Sequence, residues 1–265
     1  MGKYEEAEGI RRSSLWLMNR SPYHFKYAQD HEGENRSEAL TFGAAVHKYI
    51  LEPDDFPNEY AVAPEVDRRT KAGKEIWAEF QAECDEGGKE AVTKADFGRM
   101  QAMAAAIHQN RLATQLLHGE HEREFYWTDN VSGEKCKCKC DCLTEYTGIP
   151  YIIDLKTTAS CEDGHFERSC RDYGYDFQAG MYCEGVFQNT FEEYGFGFVA
   201  IEKTAPFGVR VYIADPSFIR QGKDRYRYLL DLYHECKTSD KWPSYDQGAL
   251  QVSYVELFGG EVYRD

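Results

Sequence analysis

Two neighbouring runs of alternating side chains constrain the fold of this 265-residue chain more than any other feature. In residues 135–143, cysteines alternate with lysines and then with Asp141. Residues 151–157 form a second run of strand-forming residues, and segment 145–150, which contains a glycine and a proline, can turn the chain between them. The pattern predicts two adjacent strands. Four cysteines would lie on one face of the first strand, and three lysines would lie beside Asp141 on the other.

The charged residues of these two runs are suited to phosphate chemistry. Asp154 and Lys156 are two positions apart, so their side chains leave the strand on the same face. Asp141 and Asp154 together can bind a hard divalent cation such as Mg²⁺, and Lys156 can contact an attacking water or a phosphate oxygen. The residues alone therefore predict metal-dependent hydrolysis of phosphodiester bonds.

The hydrophobic periodicity changes once along the chain. Residues 1–119 favour helices, residues 120–237 combine strands with helices, and residues 238–265 form a tail with a candidate strand at 250–257. We expect these parts to form one domain of the α/β (α+β) class, because a chain of this length can bury one large core.

Polar residues spaced by one helical turn give two further candidate positions. Gly43 and His47 share a face of a helix that Ser37 is expected to cap, and a glycine there lets another backbone approach the histidine. Gln178 and Tyr182 share a face of a later helix. Taken alone, His47 is most simply a hydrogen-bonded surface histidine, and the later pair is equally consistent with simple hydrogen bonding or a position beside metal ions.

The densest basic cluster in the chain comes just before an amphipathic helix and comprises Arg68, Arg69, Lys71 and Lys74. Cations at the start of a helix oppose its dipole, so helix stability does not account for them. Contact with phosphates and a solvated surface run are both consistent with the pattern. The formal charge of −15 argues against coating nucleic acid through bulk charge, but a local basic groove can still hold DNA.

The nine cysteines indicate neither a disulfide framework nor a metal cluster. Cys136, Cys138, Cys140 and Cys142 alternate on one strand, where every two residues advance by about 6.6 Å. Four such thiols cannot reach one tetrahedral metal, so we expect small buried side chains, no zinc and no iron–sulfur cluster. The odd count, the lack of a recognisable signal peptide and the lack of an apolar span favour a reducing cytoplasm without a membrane.

The motifs acquire more meaning from their order along the chain, which runs Gly43-x-x-x-His47, Asp141, Asp154-x-Lys156 and Gln178-x-x-x-Tyr182. This order resembles the PD-(D/E)XK nuclease superfamily, in its RecB-type branch. Segments 42–47, 51–53, 67–74 and 154–158 and the pair Trp242-Pro243 are similar to the exonuclease VIII (RecE-type) family of phages and prophages. The resemblance implies a restriction-endonuclease-like core, with a central mixed sheet flanked by helices and a helical N-terminal part.

The resemblance also implies the roles of individual residues. His47, Asp141, Asp154 and the backbone carbonyl of Leu155 would bind Mg²⁺, for which Mn²⁺ could substitute. Lys156 would orient the water or stabilise developing charge. Gln178 and Tyr182 would orient substrate or catalytic groups. The residues that would contact DNA are Arg68, Arg69, Lys71 and Lys74. The iron–sulfur branch has a cysteine before the helical histidine, and none precedes His47 here.

Members of the resembled family degrade one strand of linear double-stranded DNA from its 5′ end and leave a 3′ overhang. The resemblance therefore implies duplex DNA ends as substrate, a single-strand annealing recombinase as partner and a homo-oligomeric ring, with a tetramer favoured. Three alternatives remain at the level of sequence. They are an endonuclease on the same fold, a non-catalytic DNA-binding scaffold, and a module that binds metal through cysteines.

Overall fold

The computed structural model describes residues 3–31 and 38–245. The expected cap at Ser37 and the candidate strand at 250–257 lie outside these residues. The helices are Lys3–Glu6 (α1), Arg12–Trp16 (α2), Pro22–Asp30 (α3), Glu38–Leu51 (α4), Phe56–Glu59 (α5), Lys71–Gly87 (α6), Lys94–Gln109 (α7), Arg111–Leu116 (α8), Asp163–Tyr173 (α9), Tyr175–Thr190 (α10) and Pro216–Ser239 (α11), with a 3-10 turn at Leu17–Asn19.

The strands form one mixed sheet and one small parallel pair. They are Ile10–Arg11 (β1), Tyr60–Val62 (β2), Glu90–Val92 (β3), Glu120–Thr128 (β4), Lys135–Tyr146 (β5), Ile149–Thr158 (β6), Gly195–Glu202 (β7) and Val209–Ile213 (β8). In the main sheet, β5 lies antiparallel to β4 and β6, β7 runs parallel to β6, and β8 closes the edge antiparallel to β7. Strands β2 and β3 pair separately. The predicted mixed sheet flanked by helices is confirmed.

Helices cover both faces of this sheet, which explains why β6 and β7 are apolar along most of their length. Ile152 and Phe196 belong to a core that includes residues of α10 and α11. Ile153, one position later on β6, and Val199, three positions later on β7, belong to a second core with residues of α4, α7 and α8. Strands β6 and β7 are parallel, so the chain must cross over between them, and α9 and α10 form this crossover connection.

Several helix starts follow from local capping chemistry. The hydroxyls of Ser21 and Thr93 accept hydrogen bonds from backbone N–H groups in the first turns of α3 and α7, and Asp215 does the same for α11. Ser13 and Ser14 lie inside α2, and no described side chain caps the start of that helix.

All four cysteines of β5 are buried, as predicted, but the strict alternation fails near Asp141. The first three belong to the core with α10 and α11, whereas the thiol of Cys142 packs on the other face and lies 3.6 Å from the carbonyl oxygen of Leu116. Asp141 and Glu122 have no partner in the ladder between β4 and β5, and the backbone φ of Glu122 is +53°. The prediction that four cysteines share one face is therefore wrong beyond Cys140, because the strand pair is irregular there.

The lysines of β5 are also placed differently from the prediction. They do not gather beside Asp141, because other parts of the chain bind their amines. Lys135 pairs with Glu8 at 2.5 Å, Lys137 donates to the carbonyl oxygens of Tyr4 and Ala7 at 2.6 Å each, and Lys139 pairs with Glu122. Lys139 alone of the three acts electrostatically on both Asp141 and His47 in the described interactions.

Across residues 3–31 and 38–245, no helix combines the length and the apolar character needed to cross a lipid bilayer.

Candidate active site

The acidic residues meet where the main sheet forks. The ladder between β5 and β6 ends at the pair Cys142 and Ile153, and the next residues on the two strands are Asp141 and Asp154. Beyond this point β5 pairs with the short strand β1 instead of β6. The two strands therefore separate at the acids, and the fork leaves room for side chains from the covering helices.

Asp141 stabilises the fork from the β5 side. Its Oδ2 accepts a hydrogen bond from the backbone N–H of Leu155 at 2.8 Å, which replaces the next rung of the ladder. The same oxygen lies 3.3 Å from Nδ1 of His47 on α4. Burial and the neighbouring charge of Asp154 raise the pKa of Asp141 well above its usual range. The carboxyl of Asp141 therefore holds a proton more readily than an ordinary exposed aspartate does.

Asp154 is almost completely buried, with 2 % of its surface exposed. Its Oδ2 lies 2.6 Å from Nζ of Lys156, and its Oδ1 accepts a hydrogen bond from Nε2 of Gln178 on α10. The side-chain oxygen of Gln178 in turn accepts a hydrogen bond from Lys156 at 3.0 Å. One amide thus holds both the acid and the amine, and the ring of Tyr175 packs under the amine at 4.8 Å.

His47 enters the fork from the opposite face of the sheet. Removal from water lowers its pKa to about 4, although the charge of Asp154 and a hydrogen bond with the Leu155 backbone favour the charged form. The imidazole is therefore neutral near pH 7 and keeps a lone pair available for a metal ion. A Cβ added at Gly43 would lie 3.7 Å from Oγ1 of Thr157, an ordinary contact. The backbone of Leu155 does come close to His47, as expected, but Gly43 is not what admits it, because a Cβ at Gly43 would meet only the side chain of Thr157 within 4 Å.

The donor set of the fork fits a hard divalent cation. Two carboxylates and one neutral imidazole from three different elements converge, and Oδ2 of Asp154 is held by the ammonium of Lys156 at 2.6 Å. As arranged among the described residues, no group of three His, Cys, Asp or Glu side chains is positioned to hold a metal ion, so the fit to a cation rests on the types of donor present. Oxygen and imidazole donors of this kind suit Mg²⁺ or Mn²⁺ better than softer metals.

Two further residues lie around the amide bridge. Tyr182 packs against Phe196 one turn beyond Gln178, and burial raises the pKa of its hydroxyl well above the usual range. Arg12 on α2 was missed by the sequence analysis. It donates to the backbone carbonyls of Tyr173 and Gly174 where α9 meets α10, and its charge acts on Tyr182 and Asp154. In the sequence, Arg12 is the second of two arginines in the run Ile-Arg-Arg-Ser-Ser, and such a run is too common to indicate a functional residue.

The basic cluster lies apart from the fork. Arg68 and Arg69 precede α6, whereas Lys71 and Lys74 belong to its first turn, so the cluster does not wholly precede the helix as predicted. All four side chains are exposed. In the described structure their contacts are local: Arg68 covers the ring of Trp77 at 3.7 Å, Arg69 pairs with Asp67 at 2.9 Å, and Lys71 lies 3.9 Å from Glu75.

Comparison with known proteins agrees with this architecture. Residues 12–253 match the family model described as a PDDEXK-like domain of unknown function (DUF3799). No curated protein sequence matches the chain significantly. Among solved structures, the chain is similar to a protein of Eubacterium rectale named as a candidate exonuclease, at 17% identity and a TM-score of 0.63, covering 94% of this chain and 90% of that one. A phage-related exonuclease of Haemophilus somnus 129PT is also similar, at 15% identity and a TM-score of 0.35, with coverage of 90% and 100%.

Proposed function

Because the chain belongs to the PDDEXK-like family DUF3799, we propose that it is a metal-dependent exodeoxyribonuclease acting on the ends of linear double-stranded DNA. The observation that carries the proposal is the fork, where Asp141, His47, Asp154, Lys156 and Gln178 come together from four elements. A structural ion pair does not need a second acid and a desolvated imidazole at the same place. A metal-dependent phosphodiesterase site has a use for each of them, because acids and an imidazole can hold the ion and an amine can stabilise developing charge.

The residues that would hold the cation are Asp141, Asp154, His47 and the backbone carbonyl of Leu155. We propose Mg²⁺ as the ion, with Mn²⁺ as a substitute, because carboxylate, carbonyl and imidazole donors match both. When bound, such an ion polarises the scissile phosphate and makes a water molecule a better nucleophile near neutral pH. Its positive charge would also favour the ionised form of Asp141, whose pKa is raised by burial and by Asp154.

Lys156 is the group that we propose for charge stabilisation. Its amine is fixed between Asp154 and Gln178, so it is already oriented before a phosphate arrives. As the scissile bond breaks, negative charge grows on the phosphate oxygens, and a fixed ammonium stabilises that charge more than it stabilises the ground state. Gln178 positions both partners, and Tyr182, one turn further along α10, helps to shape the same wall.

We further propose hydrolysis of one strand from the 5′ end, leaving a 3′ overhang for a single-strand annealing recombinase. This part rests on the similarity of the motif order to the exonuclease VIII type. We also propose a homo-oligomeric ring, with four copies favoured. Such a ring suits a chain whose formal net charge is −15, because DNA in the channel would meet the basic residues while the outer rim stays acidic. Arg68, Arg69, Lys71 and Lys74 are the proposed contacts to DNA.

The experiment compares four DNA substrates with the full chain: linear duplexes labelled at the 5′ end or the 3′ end of one strand, a sealed circle and a nicked circle. Each is incubated with Mg²⁺, Mn²⁺ or EDTA. We expect early release of labelled nucleotides from the 5′-labelled duplex only, no cleavage of the sealed circle and no activity in EDTA.

Other outcomes separate the alternatives. Cleavage of the sealed circle would replace the exonuclease with an endonuclease. Early release of the 3′ label would reverse the polarity. Binding of duplex DNA without hydrolysis under any divalent ion would support a non-catalytic scaffold and contradict the proposal.

A further inference from the structure

A second cavity lies beyond the fork, at the far end of β5. It has a volume of about 870 Å³ and is bounded by the segment from Ala7 to Leu17, by α3, by the start of β5 and by the last turns of α11. Lys135 and Lys137 of β5 contribute to its lining, and Asp141 lies six residues after Lys135 on the same strand. Lys137 is the lining residue nearer to Asp141, so at ~3.3 Å per residue the cavity begins about 13 Å from the acid pair.

The charge of this cavity is opposite to that of the molecule. Its lining contains four cations, Arg11, Lys135, Lys137 and Lys237, against the two carboxylates Glu8 and Glu134. The chain as a whole carries −15. A local excess of positive charge in an acidic protein attracts anions to that place and keeps them away from the remaining surface.

Part of the cationic lining is held by a carboxylate from the N-terminal segment. Glu8 pairs with Lys135 at 2.5 Å, and both side chains are largely exposed, at 77% and 57%. The charges of Lys135 and Lys237 both lower the pKa of Glu8, which shows that this carboxylate faces two amines of the cavity. Such an exposed ion pair contributes little stability, so an incoming phosphate can replace it at small cost.

The remaining lining is apolar and aromatic. Tyr27 of α3 contributes a ring that stacks on His31 with one face, Tyr233 of α11 contributes a second ring, and Phe25 is buried with its ring against Trp242. Tyr27 is 55% exposed. Rings beside amines are the combination that binds a nucleotide, since bases stack on aromatic faces while phosphates pair with cations.

We propose that this cavity binds the nucleoside phosphates of a single DNA strand, with Glu8 occupying the phosphate position in the absence of DNA. The inference rests on the proposed function, because it assigns a second contact to the strand handled at the fork. Lys237 pairs with the buried Glu134 at 2.6 Å, so the phosphate position lies at Lys135, where Glu8 is displaced, and a base would stack on the exposed face of Tyr27.

The test measures binding without hydrolysis. Fluorescence anisotropy of a labelled ten-nucleotide oligothymidylate is followed in EDTA at several salt concentrations, with thymidine monophosphate as competitor. The variants are Lys135→Gln and Glu8→Gln. Lys94→Gln is the control, because it breaks another exposed lysine–glutamate pair, with Glu65 at 2.7 Å. Circular dichroism melting checks that each variant folds.

We expect Lys135→Gln to bind about fivefold to tenfold more weakly and to reduce the salt slope by about 0.7, the value for one phosphate contact on a single strand. Glu8→Gln should bind more tightly, and Lys94→Gln should match the wild type. Competition by the mononucleotide would identify a product site, and its absence would identify a strand site; both uphold the assignment to nucleoside phosphates.

Unchanged affinity and salt slope in both Lys135→Gln and Glu8→Gln would overturn the inference. A wild-type protein that hydrolyses DNA ends but shows this result would lose only the second site. Altered slopes in a protein that hydrolyses no DNA would uphold the cavity and contradict the proposed function.

Discussion

The amide of Gln178 connects the acid and the amine of the fork. Asp154 is buried, and a buried carboxylate is stable only when charges and hydrogen-bond donors compensate it. Lys156 supplies the charge and Gln178 supplies the donor, and the same amide accepts from Lys156. One side chain thus fixes the geometry of two groups that would act on the phosphate.

Gln178→Leu removes both hydrogen bonds while keeping a similar volume. We expect DNA hydrolysis to fall by about 10-fold to 100-fold, as for other residues that orient metal ligands, because Asp154 and Lys156 lose their orientation. Gln188→Leu on the same helix is the matched control, since Gln188 bonds only Glu184 in the described structure. Steady-state rates on linear duplex decide the matter, and equal rates for the two variants would contradict the role of Gln178.

At the scale of elements, α10 carries the amide to the fork only because it packs closely on α11. A Cβ at Gly222 would lie 1.8 Å from the carbonyl oxygen of Asp176, and one at Gly180 would lie 2.2 Å from backbone atoms of Gly222 and Lys223. These contacts involve backbone, which cannot move aside as a flexible side chain can. The two glycines therefore set the separation of the helices.

Gly222→Ala should lower the free energy of unfolding by about 3 kcal/mol, the upper part of the range for overpacked cores. Gly98→Ala on α7 is the control, because a Cβ there meets nothing within 4 Å. Removing a helical glycine at such a place should raise the free energy of unfolding by roughly 0.8 kcal/mol. Urea denaturation measures both, and a neutral Gly222→Ala would show that the helices are not in close contact.

The turn between β4 and β5 is linked to α11 through Asp129, whose stability contribution depends on pH. Partial burial acts to raise its pKa, but hydrogen bonds from Ser132 and from Arg227 lower it overall below 3.8. A lowered folded pKa means that the interaction stabilises the fold above the unfolded pKa and is lost as pH falls through the folded value.

Asp129→Asn should therefore cost most stability above about pH 5, where the unfolded carboxyl is fully ionised. The difference from the wild type should shrink as the pH falls below 4. Urea denaturation between pH 3 and pH 7 tests this, with the exposed Asp224→Asn as control. A difference that stays constant with pH would show that the charge of Asp129 contributes nothing.

Prediction from the sequence worked where the determinants are local. Alternation identified β5, and a run of strand-forming residues identified β6. The two-residue strand β1 and the irregularity opposite Glu122 could not be predicted, because each depends on a segment distant in sequence. The lysines of β5 were misplaced for the same reason, since partners such as Glu8 lie more than a hundred residues away.

For the candidate site too, local sequence patterns predicted some features, whereas others depend on contacts between distant segments. Motif order and same-face spacing were sufficient to select Asp141, Asp154, Lys156, Gln178 and His47, which the structure brings together. Spacing does not reveal that Gln178 joins the acid to the amine, or that Arg12 binds the carbonyls between α9 and α10. Both facts depend on how helices dock on the sheet.

At the scale of the whole molecule, the chain is acidic, with a formal charge of −15, so contact with DNA depends on local regions. The fork, the basic cluster at α6 and the cavity at the end of β5 are the regions that we propose for DNA. In the described residues the cluster at α6 makes local ion pairs, and a ring of several copies is one way to bring it to the DNA that the fork of a neighbouring copy cleaves.

The most direct test of the central claim compares Lys156→Met with Lys241→Met, which removes an exposed lysine after α11. Both substitutions keep the length of the side chain and remove its charge. Release of nucleotides from 5′-labelled linear duplex in Mg²⁺ is the measurement, with thermal melting as the check of folding. The account predicts that Lys156→Met slows hydrolysis by about 100-fold to 1,000-fold, as for other fixed donors at developing charge, whereas Lys241→Met matches the wild type. A folded Lys156→Met protein that hydrolyses DNA at the wild-type rate would contradict it.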